Sequence, residues 1–379
     1  MNTKNESISL LAKAFGLPII NDETHVWFFR TESGLYYYDF YLNNYIALGW
    51  DLLSKDFAND KKKNEKEKKI EISKVYPDEQ RPGLIWGQMD TFYNKMQKGD
   101  IVVIPATGGK EIAIGVLGEI STSITRTISN DEYAQCTYKH KRTVSWLKKV
   151  DLWTDVYLSK VLRAQQTISD ITKYEEMVYR NLHPCYISSQ AIHLTMQKTT
   201  ESDYNIADNI ALQSAIMQIS KQLSEYFEIP TGNNDIKIKT AVGSPGFLEI
   251  LFPTIPVSII VGACIVRTLV GKTKNDNGEL ATGIMAIISK ANDLLNDHLN
   301  RKKTKADIER IKASTRKTDA EISKIQAETA KIQAETAMLL PSNTMDMVLV
   351  TEVSKHCAEL KSAAERSGIK IEKQLERIG

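Results

Sequence analysis

The chain has 379 residues, 25% of them charged and 42% apolar, with a formal net charge of +2. That is enough chain for two or three domains of ordinary globular composition. The near-neutral balance excludes a general attraction to polyanions, so nucleic acid would have to be held by a local patch.

In chain order, the spacing predicts a first helix over Ser7–Phe15, closed by Gly16. Strands are predicted at Val26–Arg30, Tyr36–Phe40 and Tyr45–Trp50, with a turn at Glu32-Ser33-Gly34. The dense Lys/Glu run from Asp56 to Lys74 reads as a solvated loop or an exposed helix. Leu84–Lys95 has helical spacing, and Lys98-Gly99-Asp100 turns the chain. Ile101–Pro105 and Glu111–Gly118 read as paired strands. The four cysteines, Cys136, Cys185, Cys264 and Cys357, stand far apart without a C-x-x-C pair. This argues against a zinc or dithiol site and for a reducing compartment.

Several of these pieces, in this order, resemble the EVE-like members of the PUA superfold. They are Val26-Trp27-Phe28-Phe29-Arg30, Ile46-Ala47-Leu48-Gly49-Trp50-Asp51-Leu52, Phe92 through Met96 to Gly99-Asp100-Ile101-Val102-Val103, and Ile112-Ala113-Ile114-Gly115. Arg142-Thr143-Val144-Ser145-Trp146-Leu147 looks like the R-x-V-x-W strand that ends such domains, and Val161–Ile168 like the short helix that follows. The resemblance covers about the first 180 residues and implies a small β-barrel that binds nucleic acid or a flipped base. The residue chemistry agrees, because aromatic faces stack on any base and cations hold phosphates. The candidate binding residues are Trp27, Arg30, Tyr36, Tyr37, Trp50, Arg81 and Trp86. Trp50 leads, because Gly49 before it would let a ligand approach closely.

Beyond His183-Pro184, His193 reads as a core or surface histidine, and Ile206–Phe227 as an amphipathic helix. Ile236–Thr240 alternates strictly, giving a strand with a basic face, Lys237 and Lys239. Gly243–Gly246 turns it into a partner strand, Phe247–Leu251. Leu251–Val270 is the most apolar stretch of the chain. It nearly reaches the ~20 residues of a membrane span, yet its regular helix would begin only at Pro256. Insertion in a membrane and burial in a helical hairpin both remain open. The N-terminus M-N-T-K-N-E-S lacks the apolar core of a signal peptide, so if the protein meets a membrane, this stretch must take it there. A polar loop, Gly271–Gly278, then a helix from Glu279, lead to the basic cluster Arg301–Lys305.

A seven-residue repeat follows, with Ile308, Thr315, Ile322, Thr329 and Thr336 at one core position and Ile311, Thr318, Ile325, Ile332 and Leu339 at the other. Sustained heptads mark a coiled coil. Pro341 ends it, and Met345–Glu376 reads as a further helix. No G-x-x-x-x-G-K-[ST], H-E-x-x-H or G-x-S-x-G occurs, and the early Glu67-Lys68-Lys69 falls within charge decoration. No catalytic residue, metal or cofactor is expected, and the chain reads as a non-enzyme.

These readings give an α+β chain in four parts. They are an EVE-like reader over residues 1–182, a helix and β-hairpin connector over 183–250, an apolar helical hairpin over 251–300, and a coiled coil with a terminal helix over 301–379. The order resembles the transmembrane effector of Hailong-type anti-phage defence. That resemblance implies a ligand-gated pore at the inner membrane or its cytoplasmic face. It also implies a homo-oligomer such as a tetramer, a short single-stranded DNA or other oligonucleotide as ligand, and a partner nucleotidyltransferase that makes it. The alternative is a soluble oligomeric nucleic-acid-binding specificity subunit of a restriction-type system. Replacing Ile325 and Ile332 with Asp puts unpaired charges in the heptad seam, at several kcal/mol each. Particle mass by mass photometry is expected to fall toward the monomer; an unchanged mass removes the coiled coil from assembly.

Overall fold

The computed structural model describes residues 3–60, 62–121, 124, 132–152, 155–188, 191–198, 205–229, 236–241, 246–270, 280–296, 343–366 and 369–370. The chain forms two compact units. One, the split unit, combines Met1–Ile19 with Pro184–Gly379; the other, the inserted unit, is Ile20–His183. The first helix, α1 (Thr3–Phe15), thus belongs with the C-terminal half. It ends as its sequence predicts. Gly16 takes φ +67°, Leu17 N–H donates to Ala12 O at 2.9 Å, and Gly16 N–H reaches Lys13 O at 3.4 Å. A left-handed glycine lets both donors turn back onto the last helical carbonyls.

The inserted unit is built on a curled, half-barrel sheet of six strands. These are β1 (Val26–Phe29), β2 (Tyr45–Leu48), β3 (Ile101–Pro105), β4 (Glu111–Ser121), β5 (His140–Asp151) and β6 (Ile168–Asp170), in the order β2-β5-β4-β3-β1-β6. Among the described strands of this sheet only β1 and β3 run parallel, with Val26 beside Ile101; the expected β3–β4 pair is antiparallel, with Val103 beside Ile114. Both faces of β1, β2 and most of β3 are buried, which explains their unbroken apolar sequences.

Two local readings change, and the helical alternative for the Lys/Glu run holds. Tyr36–Phe40 is not a strand, because α2 (Tyr37–Leu42) occupies the stretch. Helical spacing brings Tyr36 to Phe40 at 6.0 Å and Tyr37 to Tyr41 at 6.1 Å between ring centroids, and these ring pairs outweigh tyrosine's preference for strands. The Lys/Glu run holds two helices, α3 (Lys55–Asn59) and α4 (Glu65–Val75). The second is opened by a reciprocal cap: Asn64 accepts from Glu67 N–H, and Glu67 accepts from Asn64 N–H. Val156–Arg163 is a 3-10 helix, earlier than the expected Val161–Ile168. The helix predicted over Leu84–Lys95 is α5 (Pro82–Asp90), continued by a wider π-turn over Thr91–Lys95. The last helix of the unit is α6 (Glu175–Leu182).

In the split unit the predicted hairpin is present: β9 (Lys237–Ala241) lies against β10 (Gly246–Phe252), with Lys239 opposite Glu249. It extends to β8 (Ile192–Lys198) and to the short β11 (Ile369–Lys370), while β7 (Cys185–Ile187) also pairs with β8. One sheet face, Ile192, Leu194, Met196, Leu248, Ile250 and Phe252, enters an apolar core. That core also receives α1, α7 (Ile206–Tyr226), α8 (Pro256–Val270), α9 (280–296) and α10 (Asn343–Arg366). The opposite face buries His193, whose Nδ1 is 2.8 Å from Glu249 Oε1 and whose ring stacks on Tyr186 at 4.3 Å.

The apolar stretch is α8, 15 residues long with Pro256 at its start. Its side chains from Pro256 to Ile265 are all buried, including Ile259, Ile260, Val261 and Cys264 at 0% exposure. Among the described residues no helix is long and apolar enough to cross a membrane. The loop at 271–278, the basic cluster at 301–305 and the heptads of 308–339 lie outside the described residues. An arginine at Val261 would be an unpaired charge in this core, at roughly 3–5 kcal/mol. The urea midpoint of V261R is expected to fall steeply; an unchanged midpoint places Val261 outside the core.

Candidate nucleic-acid interface

The most unusual backbone in the inserted unit is at Trp50, which takes φ +64°. A bulky side chain in the left-handed region costs about 1–3 kcal/mol and persists only where its surroundings hold it. Here four contacts do so. Leu53 N–H donates to the Trp50 carbonyl at 3.0 Å, and His140 Nε2 lies 3.2 Å from the same oxygen. Lys139 N–H donates to Asp51 Oδ1 at 2.7 Å, and Leu52 N–H to the Tyr76 hydroxyl at 3.0 Å. A carbonyl only accepts, so His140 presents an N–H at Nε2, and its Nδ1 lies 2.6 Å from the Tyr93 hydroxyl. Burial pushes that phenol up to about 12, keeping it protonated.

The indole of Trp50 is left half-buried at the edge of the core. Gly49 has no positive φ, and a side chain there would meet the Tyr138 ring at an ordinary 3.5 Å. Close approach by a ligand is therefore not what Gly49 provides; the strained residue is Trp50 itself. Tyr138 in turn meets Tyr36 edge-on at 5.5 Å. Burial, then the Glu32 carboxylate, raises the Tyr138 hydroxyl well above the usual phenol range. Tyr138 and Tyr36 thus share a half-buried aromatic edge, and Trp50, the residue after Gly49, is half-buried against the same core.

The other candidates are placed differently. Trp27 is 4% exposed, and its indole N–H donates to Asp100 Oδ2 at 2.7 Å. Tyr37 is 0% exposed and donates to Glu111 Oε1 at 2.6 Å. Both rings serve the core, as a buried polar tip with a partner should. Trp86 is half-buried, but the Lys68 ammonium stands 3.9 Å over its ring while donating to Ala58 O at 3.1 Å. That indole face already has an occupant. Arg30 is exposed, and its Nη2 donates to Ala164 O at 2.9 Å. Arg81 is exposed at the start of α5. Lys237 and Lys239 are exposed on β9, the edge strand of the split unit, where Ile238 on the other strand face is also 41% exposed.

The R-x-V-x-W residues have structural tasks. Arg142 is buried and donates to Met96 O at 2.7 Å, and burial lowers its pKa. Trp146 donates to Phe40 O at 3.1 Å. Sequence reading missed Tyr138 and the His140–Tyr93 support of Trp50. Neither has a local signal, because each acts across separate elements. Among the described residues no three His, Cys, Asp or Glu side chains are grouped to hold a metal ion.

A family model described as a domain of unknown function (DUF8426) matches residues 29–172. Trp50, Tyr36, Tyr138, Arg30, Arg81 and Trp86 all fall inside that span, within the inserted unit. No curated protein and no solved structure matches the chain.

Glycine adopts the Trp50 backbone without strain. Trp50→Gly is therefore expected to keep the melting temperature closer to wild type than Trp50→Ala does, by about 1 kcal/mol in stability. A Trp50→Gly protein that unfolds would show the indole to be core rather than rim.

Proposed function

We propose that the chain is a nucleic-acid-binding protein whose inserted unit stacks bases of a single strand on the rim formed by Trp50, Tyr138 and Tyr36. One observation carries this reading: a large aromatic residue is held in a strained backbone state by four hydrogen-bonding contacts, with its ring left half-buried. Strain of this kind gathers at ligand sites, and aromatic rims bind bases with little regard to identity. Arg81 and Arg30, both exposed in the same unit, supply cations for phosphates. The enclosure of α8 in the split-unit core supports the soluble, oligomeric form of this reading, assembled through the heptads.

The second reading, an effector that opens a membrane pore under control of an oligonucleotide, draws on α8 itself, a helix of 15 residues whose only charge is Arg267. In that reading α8 must leave its core to meet lipid, so membrane action is conditional on a large rearrangement. Fractionation of the expressed chain with and without oligonucleotide separates the two.

The decisive measurement is binding of labelled single-stranded oligonucleotides across a salt series. Trp50→Ala is expected to cost about 1–3 kcal/mol, roughly tenfold to a hundredfold in affinity. Arg81→Ala is expected to weaken binding and flatten the salt slope by about one unit. Wild-type protein that binds none of these strands, and carries no nucleic acid on purification, overturns the reading. Binding lost on changing Lys237 and Lys239 but not Trp50 moves the site to the split unit.

A further inference from the structure

Strand β5 bulges at Leu147. Lys149 and Lys148 face Ala113 and Ile114 of β4, but the next pairing is Trp146 with Gly115. The extra residue turns Trp146 and Lys149, three positions apart, to one side of the sheet. Lys148 points elsewhere and donates to Asn181 O at 2.8 Å. Bulges re-aim side chains in this way. The result is that Tyr41 meets both residues, 5.9 Å from the Trp146 ring and 4.4 Å from the Lys149 ammonium.

The ammonium sits in a cradle. Besides Tyr41, the rings of Tyr37 and Tyr38 lie at 5.6 Å and 5.8 Å, and Glu111 Oε1 is 3.2 Å away. Tyr37 donates its hydroxyl to that same carboxylate oxygen, and burial together with this bond holds the phenol protonated. Several aromatic faces and one carboxylate around an ammonium are the chemistry by which proteins recognise alkylated amines. The cradle also opens to solvent. Lys149 is 34% exposed, Glu111 33% and Tyr38 49%. An ion pair this exposed holds its partner weakly, and a lysine stem can swing away without disturbing the strand.

We propose that Glu111 and the rings of Tyr37, Tyr38 and Tyr41 form a recognition site for an alkylammonium group. Lys149 is its resident occupant, displaceable by a lysine or methylated amine presented by another polypeptide. The site takes cations, whereas the Trp50 site takes bases, so the two differ in the ligand they hold.

The test is chemical rescue in the full chain. Lys149→Met keeps the side-chain volume and removes the ammonium. Its melting temperature is expected to rise saturably with n-butylammonium chloride, measured against sodium chloride at equal ionic strength. The rise is expected to vanish in Lys149→Met with Glu111→Gln, and not to appear with n-butanol. Wild type is expected to need about tenfold more n-butylammonium, because its own lysine competes. An equal rise with n-butanol, a rise that survives loss of Glu111, no rise at all, or identical titrations of wild type and Lys149→Met would each overturn the proposal. Should Lys149→Met not fold, fluorotyrosine NMR of the wild type decides instead. Shifts at Tyr38 and Tyr41 on adding n-butylammonium, absent in Glu111→Gln, support the site; no shifts overturn it.

Discussion

The inserted unit depends on one buried carboxylate. Asp39 lies at 0% exposure on α2, where an unsatisfied charge would be very costly. Its oxygens accept from Asn43 Nδ2 at 2.9 Å, the Tyr45 hydroxyl at 2.6 Å and the Cys136 N–H at 2.7 Å. These three bonds tie the end of α2, strand β2 and the segment entering β5 to one point. A six-residue helix of mostly aromatic residues, with no side-chain cap at its start, would not hold by itself. Fixed by Asp39, it sends Tyr36 toward Tyr138 on one flank, and Tyr37 and Tyr41 toward Glu111 and Lys149 on the other. Both proposed sites therefore rest on a residue that belongs to neither.

Much of the framework was legible because its signals are local. Gly16 closes α1 through its own left-handed backbone. The continuous run Ile101–Ile104 is buried on both faces, as such runs are in central strands. The alternation of Lys237-Ile238-Lys239-Thr240 marks a strand, although the structure leaves residues on both of its faces exposed. The illegible parts are those where tertiary contact overrides composition. Tyr36–Phe40 is rich in strand-forming residues, yet ring pairing four residues apart and the pull of Asp39 make it helical. Lys68 looked like one charge among many, but it is 5% exposed, lodged between Ala58 O and the Trp86 ring.

The candidate site shows the same division. Counting aromatic residues finds Trp27, Tyr36, Tyr37, Trp50 and Trp86 but cannot say which keep a face available. Asp100 closes Trp27, Glu111 draws Tyr37 inward, and Lys68 covers Trp86. Each of those partners is distant in sequence or hidden in a charge run. Trp50 was singled out through Gly49, a neighbour whose backbone freedom turns out not to be used. Positive φ is usually announced by glycine or asparagine, and at Trp50 it is imposed by contacts from Leu53, Tyr76, Lys139 and His140. A sequence carries no short-range mark of such an arrangement.

The way the chain threads its two units has a consequence for how it is made. The split unit is not complete until Ile19 bridges Ile187, supported by Ile187 N–H donating to Pro18 O at 2.9 Å. In an unfolded chain that pairing closes a loop of well over a hundred residues, and the entropy lost grows with its length. Once residues 20–183 have folded, the same ends are joined by a compact body and the remaining search is short. On the ribosome, where the N-terminal part emerges first, the apolar face of Ile8, Leu11 and Ala12 has no core to join until the residues beyond 183 that it packs against have been made. The chain order thus favours one sequence of assembly, the inserted unit before the core around α8.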